Sequence, residues 1–209
     1  MGVRHLDIRP IMGQLAARRP IFHSEADFQH ELAWELRKSI PDCEVRIERP
    51  ITGVFKGAID IVILWQGLHY GLELKYLTRK FDIIHKSEEF NLKAHGATDL
   101  RRYDVCKDIW RLENFNDAYG GRSMVVALTN EAAYWKPPAH DRHFDAAFRV
   151  FNGRTLSGNL IWDILASPGT TKGRTSDISL RGEYKLLWQD YSDLGNAPGC
   201  FRYLLVDVA

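Results

Sequence analysis

The chain predicts a single α/β domain whose core, about residues 24–129, runs helix, three strands, helix, strand, and three observations carry that expectation. Length is the first: 209 residues, at about 150 per domain, make one domain with an elaborated end rather than two independent ones. Apolar spacing is the second, switching from a helical period to β-rich runs and back. Composition is the third. With 45% hydrophobic, 11% aromatic and 26% charged residues, the chain suits one core and a polar surface, which excludes disordered, collagenous and low-complexity classes.

A first helix is expected over residues 9–18, closed by Arg18, Arg19 and Pro20. Ser24, Glu25, Ala26 and Asp27 then read as a helix start, with Ser24 as N-cap and acids suited to the first-turn dipole. Phe28, Leu32 and Leu36 follow at i, i+4 and i+8, so a second helix runs to about residue 38. Segments 44–48, 58–65 and 70–76 are rich in Ile, Val, Leu and aromatics between Gly and Pro turns, and read as a β-meander. A polar stretch over 78–96 leads to a long helix at about 98–114; Gly120 and Gly121 then turn the chain into a central strand at 122–129. Beyond Asn130 the pattern predicts a helix over 143–151, a Gly/Thr/Ser-rich connection over 166–179, and strands at 184–191 and 201–208 joined as a hairpin.

Lys and Arg number 28 against 27 Asp and Glu, a net charge of +1, so no global field draws the chain to a polyanion and any such partner must be met by local patches. Cys43, Cys106 and Cys200 form no CxxC pair, which predicts neither a disulfide framework nor a cysteine zinc site and fits a reducing cytoplasm. Arg4, His5, Asp7 and Arg9 break up the opening residues, so no export signal is expected. The apolar run 59–65 contains Asp60 and falls far short of the ~20 residues of a membrane helix. His30-Glu31 begins a zinc-protease pattern that Trp34 ends, and no GxSxG, Walker A or GxGxxG sequence occurs.

Two carboxylates and a lysine stand inside otherwise apolar strands: Asp60 in the second, Glu73 and Lys75 in the third. Side chains alternate across a strand, so Glu73 and Lys75 share one face while Leu72, Leu74 and Tyr76 take the other. With Trp65 opposite Tyr70, Lys75 faces Asp60 and Glu73 faces Val62, which makes Asp60 and Glu73 diagonal neighbours roughly 7 Å apart. Buried like charges side by side are costly, and a divalent cation removes that cost. Hard oxygen ligands favour Mg²⁺, with Mn²⁺ as substitute.

This arrangement resembles the PD-(D/E)xK nuclease superfamily. Asp60 matches the motif's first acid and Glu73-Leu74-Lys75 its (D/E)xK triplet, with Ile59 where the motif's name has proline. The resemblance covers about residues 24–129 and implies a restriction-endonuclease-like mixed central sheet flanked by helices, with an αβββαβ core and residues 130–209 as a C-terminal elaboration. It implies a metal-dependent deoxyribonuclease, an endonuclease rather than an exonuclease, with RNA left open as substrate and a homodimer as one arrangement. Asp60, Glu73 and the Leu74 carbonyl would hold the metal, Lys75 would position the attacking water, and Glu25 would assist from the preceding helix. Gln29, Arg79, Lys80, Arg102 and Tyr103 are the expected nucleic-acid contacts; Asp99 to Tyr103 keeps the spacing of the family's Gln-xxx-Tyr element with Asp99 for Gln.

Plainer readings compete. Asp60 and Lys75 can form an edge-strand ion pair with Glu73 solvated, Glu25 can serve only the helix dipole, and Tyr103 can be a packed helix residue. Glu31 and Glu35 are expected in solvent. Arg101, Arg102, Lys107 and Arg111 are balanced on their own helix by Asp99, Asp104, Asp108 and Glu113, which favours pairing along the helix over a phosphate-binding face. Arg4, Arg9, Arg18 and Arg19 face only Asp7 and make the N-terminal stretch a weaker basic candidate. A non-cleaving nucleic-acid-binding or assembly module of the same fold is the alternative function. Near-neutral net charge predicts a confined basic cleft with marked salt sensitivity.

Overall fold

Ser24 Oγ accepts the Asp27 amide at 3.1 Å, and Asp27 accepts the His23 amide at 2.9 Å, so side chains fix the start of helix α2 (Glu25–Ser39) where the sequence puts it. Its stripe of Phe28, Leu32 and Leu36 is fully buried, each side chain contributing about 1.5–3 kcal/mol. The structure, a computed structural model, describes residues 6–53, 55–140, 143–195 and 197–209. Helix α1 (Arg9–Arg18) packs beside α2 on one face of a mixed sheet.

The sheet has six strands, ordered β1 (Glu44–Pro50), β2 (Ala58–Trp65), β3 (Leu68–Leu77), β6 (Ser123–Thr129), β10 (Cys200–Val208) and β9 (Trp188–Asp193). Only β3 and β6 run parallel; the other neighbours are antiparallel. Strand β6 is buried along its whole length, as a central strand should be. Met124, Val126 and Leu128 face α1 and α2, while Val125 and Ala127 face helix α3 (Thr98–Tyr119). Helix α3 is the crossover from β3 to β6, and Val105, Ile109, Leu112 and Phe115 seat it on the sheet. The fold is therefore a mixed α/β sheet with three α-helices, and none of its helices, among the described residues, is long and apolar enough to cross a membrane.

Several elements differ from expectation. The polar stretch 78–96 forms a hairpin of β4 (Phe81–His85) and β5 (Glu88–Leu92), because Phe90 and Leu92 reach back into the α1–α2 core. The helix expected over 143–151 shrinks to one 3₁₀ turn, Ala146–Phe148. Strand β7 (Thr155–Leu160) pairs with β8 (Ile178–Lys185) over the outer side of α3, and the strand expected at 184–191 is divided between β8 and β9. The β9–β10 hairpin forms as expected.

The arginines of the N-terminal stretch are paired within the protein. Arg9 binds Asp7 and Asp207, Arg18 binds Glu31 and Glu35, and Arg19 binds Asp27 and Glu31. Glu35 is thus buried rather than solvated and Glu31 is half-buried. Arg4 lies outside the described residues.

The C-terminal elaboration is locked to α3 by buried charge. Asp145 is fully buried and meets Arg102 at 2.6 Å and Arg149 at 2.9 Å. Glu113 accepts the amides of Arg181 and Gly182 and the Tyr184 hydroxyl on one oxygen. Burial opposes ionisation of Asp145, but Arg102 and then Arg149 outweigh it and hold the carboxyl below its ordinary range. Asp145→Asn leaves Arg102 without its buried partner and is expected to cost about 3–5 kcal/mol in urea unfolding at neutral pH. Because the folded pKa is depressed, this stabilisation is complete above the unfolded value of about 3.9 and is lost as pH falls through the folded one. The gap between wild type and variant should therefore close below about pH 4.

Candidate active site

The β2–β3 hairpin turns on Gln66 and Gly67, with φ of 52° and 77°, a two-residue turn of the tight type that follows strand twist. That tightness sets the register: Trp65 faces Leu68 and Ile61 faces Leu72. The expected pairing of Trp65 with Tyr70 is off by two residues, because the turn uses two residues rather than four. A slip of two keeps every side chain on its face, so the register, continued one step past its last pair, Ile61 with Leu72, would set Asp60 across from Glu73 rather than diagonal to it.

The β2–β3 ladder ends at Ile61 and Leu72, although β3 continues to Leu77. Past that point the amide of Leu74 donates to Asp60 Oδ2 at 2.6 Å, and the amide of Tyr76 donates to Glu25 Oε2 at 2.7 Å. Glu25, at the start of α2, thus does more than serve the helix dipole: it reaches the gap between β2 and β3. Gln29, one turn on, is buried and donates from Nε2 to the Asp60 carbonyl and to Glu48 Oε1, both at 2.8 Å. It holds β2 in place, with its amide nitrogen committed to these two acceptors.

Glu73 is 1% exposed, which rules out the reading in which it is solvated. Lys75 pairs not with Asp60 but with Asp108 of α3, Nζ to Oδ2 at 2.7 Å, and also donates to the Leu74 carbonyl at 2.9 Å. Arg111, one turn further along α3, lies with Nη2 at 3.1 Å from Glu73 Oε1. Asp108 and Arg111 are the members that sequence reading missed. Their spacing reads as a pair along one helix, and at 3.9 Å they are close; only their place on the buried stripe of Val105, Ile109 and Leu112 hints that they face the sheet. Glu48 is a further acid near the site, opposite Asp60 on β1 in a left-handed conformation with φ of 49°.

Four carboxylates, of Glu25, Asp60, Glu73 and Asp108, here share two cations, Lys75 and Arg111. Burial, then Asp108 and Asp60, push the Glu73 carboxyl well above its ordinary value against Arg111 and Lys75. Burial likewise raises Asp60 and Asp108, with Lys75 the chief opposing charge for both. Lys75 loses solvation too, but Asp108, Asp60 and Glu25 outweigh that and keep it protonated. The set is short of positive charge.

The donor chemistry fits a hard divalent cation. Both oxygens of Glu73 are buried without a hydrogen-bond partner. Among the described residues no three His, Cys, Asp or Glu side chains converge as a ready-made cage. An ion held by Asp60, Glu73 and the Leu74 carbonyl would keep positions for water or substrate, as Mg²⁺ prefers.

A cleft of about 690 Å³ opens at Lys75, walled by His23 and Glu25, by Asn91, Lys93 and His95 after the β4–β5 hairpin, and by Arg101, Lys107 and Arg111 of α3. Arg79 and Lys80 are exposed just beyond β3. Arg102 and Tyr103, by contrast, point inward. Arg102 is committed to Asp145 and the Ala133 carbonyl, and Tyr103 is 2% exposed, stacked on Trp162 and donating to the Ser176 carbonyl. Neither can contact nucleic acid without unpacking the elaboration. The charges of α3 pair mostly across elements, Arg174 with Asp104 among them, rather than along the helix. No family model, curated protein or solved structure matches the chain.

Removing one member of the Lys75–Asp108 pair strands the other in the interior. Asp108→Leu and Lys75→Met are each expected to cost about 3–5 kcal/mol in urea unfolding, whereas the double variant, which replaces the pair by apolar groups, should cost far less than their sum. Additive losses would show that the pair is not coupled.

Proposed function

We propose that the protein is a Mg²⁺-dependent nuclease of the PD-(D/E)xK type, with a restriction-endonuclease-like core, that hydrolyses phosphodiester bonds in DNA. The observation that carries this reading is the convergence of Asp60, Glu73 and Lys75 at the gap between β2 and β3, below a cleft lined by Lys93, Arg101 and Lys107. Asp60, Glu73 and the Leu74 carbonyl hold the cation, which when bound supplies charge to the scissile phosphate and acidifies water.

The chain's own groups do the rest. Lys75, kept protonated by its acidic neighbours, orients the attacking water and offsets charge on the phosphate. Asp108 fixes where the Lys75 ammonium sits. Glu25, already bonded to the Tyr76 amide, borders the cleft on the opposite side and assists through water. Lys93, Arg101 and Lys107, with Arg79 and Lys80 further out, track the phosphate backbone. Action inside the cytoplasm and as a homodimer belongs to the same proposal.

A second reading, a binding or assembly module that keeps the fold without cleaving, draws on one feature: Arg111 gives Glu73 a cation from the protein itself. Purified protein incubated with plasmid or single-stranded DNA and Mg²⁺ or Mn²⁺ separates the two. Cutting is expected, and Glu73→Ala or Lys75→Ala should reduce it at least 100-fold. Undiminished cutting by either variant sinks the mechanism; gel shifts without cutting by any of the proteins favour the binding module.

A further inference from the structure

Arg111 carries more donors than the structure uses. A guanidinium has five N–H groups, yet the hydrogen bond this one makes among the described residues runs from Nη2 to the Ala58 carbonyl, and its buried Nε has no partner. Its approach to Glu73 at 3.1 Å is a charge contact without hydrogen-bond alignment, since both Glu73 oxygens also lack a partner. Beneath it lies the ring of Phe55, 4.8 Å from the guanidinium carbon. The side chain is 19% exposed and borders the cleft with Lys75, Arg101 and Lys107.

Glu73 is at once the carboxylate Arg111 rests against and a ligand that a divalent cation needs. Both cannot use it fully. We propose that Arg111 is the phosphate-binding residue of this cleft, parked on Glu73 until a phosphodiester draws it out, so that nucleic acid and divalent cation load together. The inference rests on the nuclease reading above. A guanidinium fork matches the two non-bridging oxygens of a phosphodiester, which a lysine, as a point charge, does not. Moving from Glu73 to phosphate, Arg111 exchanges one anion for another and is never left buried without a counter-charge. The incoming cation takes the place it leaves. Cation affinity thereby depends on substrate, and by linkage substrate affinity depends on cation.

The test is Mn²⁺ binding followed by electron paramagnetic resonance on the full chain, with and without a phosphorothioate DNA duplex that resists cleavage. Wild type should bind Mn²⁺ weakly alone and at least tenfold more tightly with the duplex. Arg111→Gln should bind Mn²⁺ alone about tenfold more tightly than wild type, gain little from the duplex, and bind the duplex at least fivefold more weakly in chelator. Phe55→Ala, which loosens the parked guanidinium without altering charge, should raise Mn²⁺ affinity about two- to fivefold and serves where Arg111→Gln does not fold. Unchanged or weaker Mn²⁺ binding by the folded variants, while wild-type binding still disappears in Glu73→Ala, overturns this inference alone. Mn²⁺ binding that is absent from wild type, or indifferent to Glu73→Ala, overturns the nuclease reading and this inference with it.

Discussion

Two backbone amides with no strand to bond to organise this protein. Where β3 outruns the β2 ladder, the N–H groups of Leu74 and Tyr76 are satisfied by the carboxylates of Asp60 and Glu25. A buried amide left unpaired is costly, so the two acids are pinned to successive positions along one strand edge. One comes from the neighbouring strand and the other from the helix layer on the far face. The same splay that strips β3 of its partner therefore gathers acidic groups at one point, beside the only residues of β3 that carry charge, Glu73 and Lys75.

Gathering acids in an interior requires counter-charge, and α3 supplies one cation, Arg111, while adding one more acid, Asp108. Asp108 holds Lys75, Arg111 faces Glu73, and the rest of the helix is bound to the elaboration through Arg102, Asp104 and Glu113. The chain thus invests its crossover helix in electrostatics as well as in apolar packing. The compensation stays incomplete, as the unpartnered oxygens of Glu73 and the raised carboxyls of Asp60, Glu73 and Asp108 show. An interior optimised for stability alone would have closed that deficit with apolar residues.

Much of the architecture was legible in the sequence because local and long-range signals agree there. Ser24 caps α2 and Phe28, Leu32 and Leu36 give it one face; β2, β3 and β6 are dense in β-branched and aromatic residues. The β4–β5 hairpin was not legible, since Phe81, Ile83, Phe90 and Leu92 are scattered through a largely polar stretch and gain meaning only against the α1–α2 core. The β7–β8 pair escaped for a different reason: a long irregular segment parts its strands, and Glu113 of α3 fixes β8. At the site, alternation alone put Glu73 and Lys75 on one face, and the parity of the Asp60 register survived a wrong turn length. Asp108 and Arg111 were hidden because a charged helix looks the same whether its charges meet each other or the sheet. For the same reason Arg102 looked available for phosphate although it is sealed on Asp145.

The proposed nuclease activity requires Asp60 and Glu73 to act together on one cation at the mouth of the splay. Anomalous diffraction from crystals of the protein grown in Mn²⁺ with the phosphorothioate duplex tests that claim most directly. The predicted result is a single strong peak between the Asp60 and Glu73 carboxylates, within reach of the Leu74 carbonyl, with Lys75 still beside Asp108. A Mn²⁺ peak elsewhere, or Asp60 and Glu73 on opposite faces of the sheet, would contradict it.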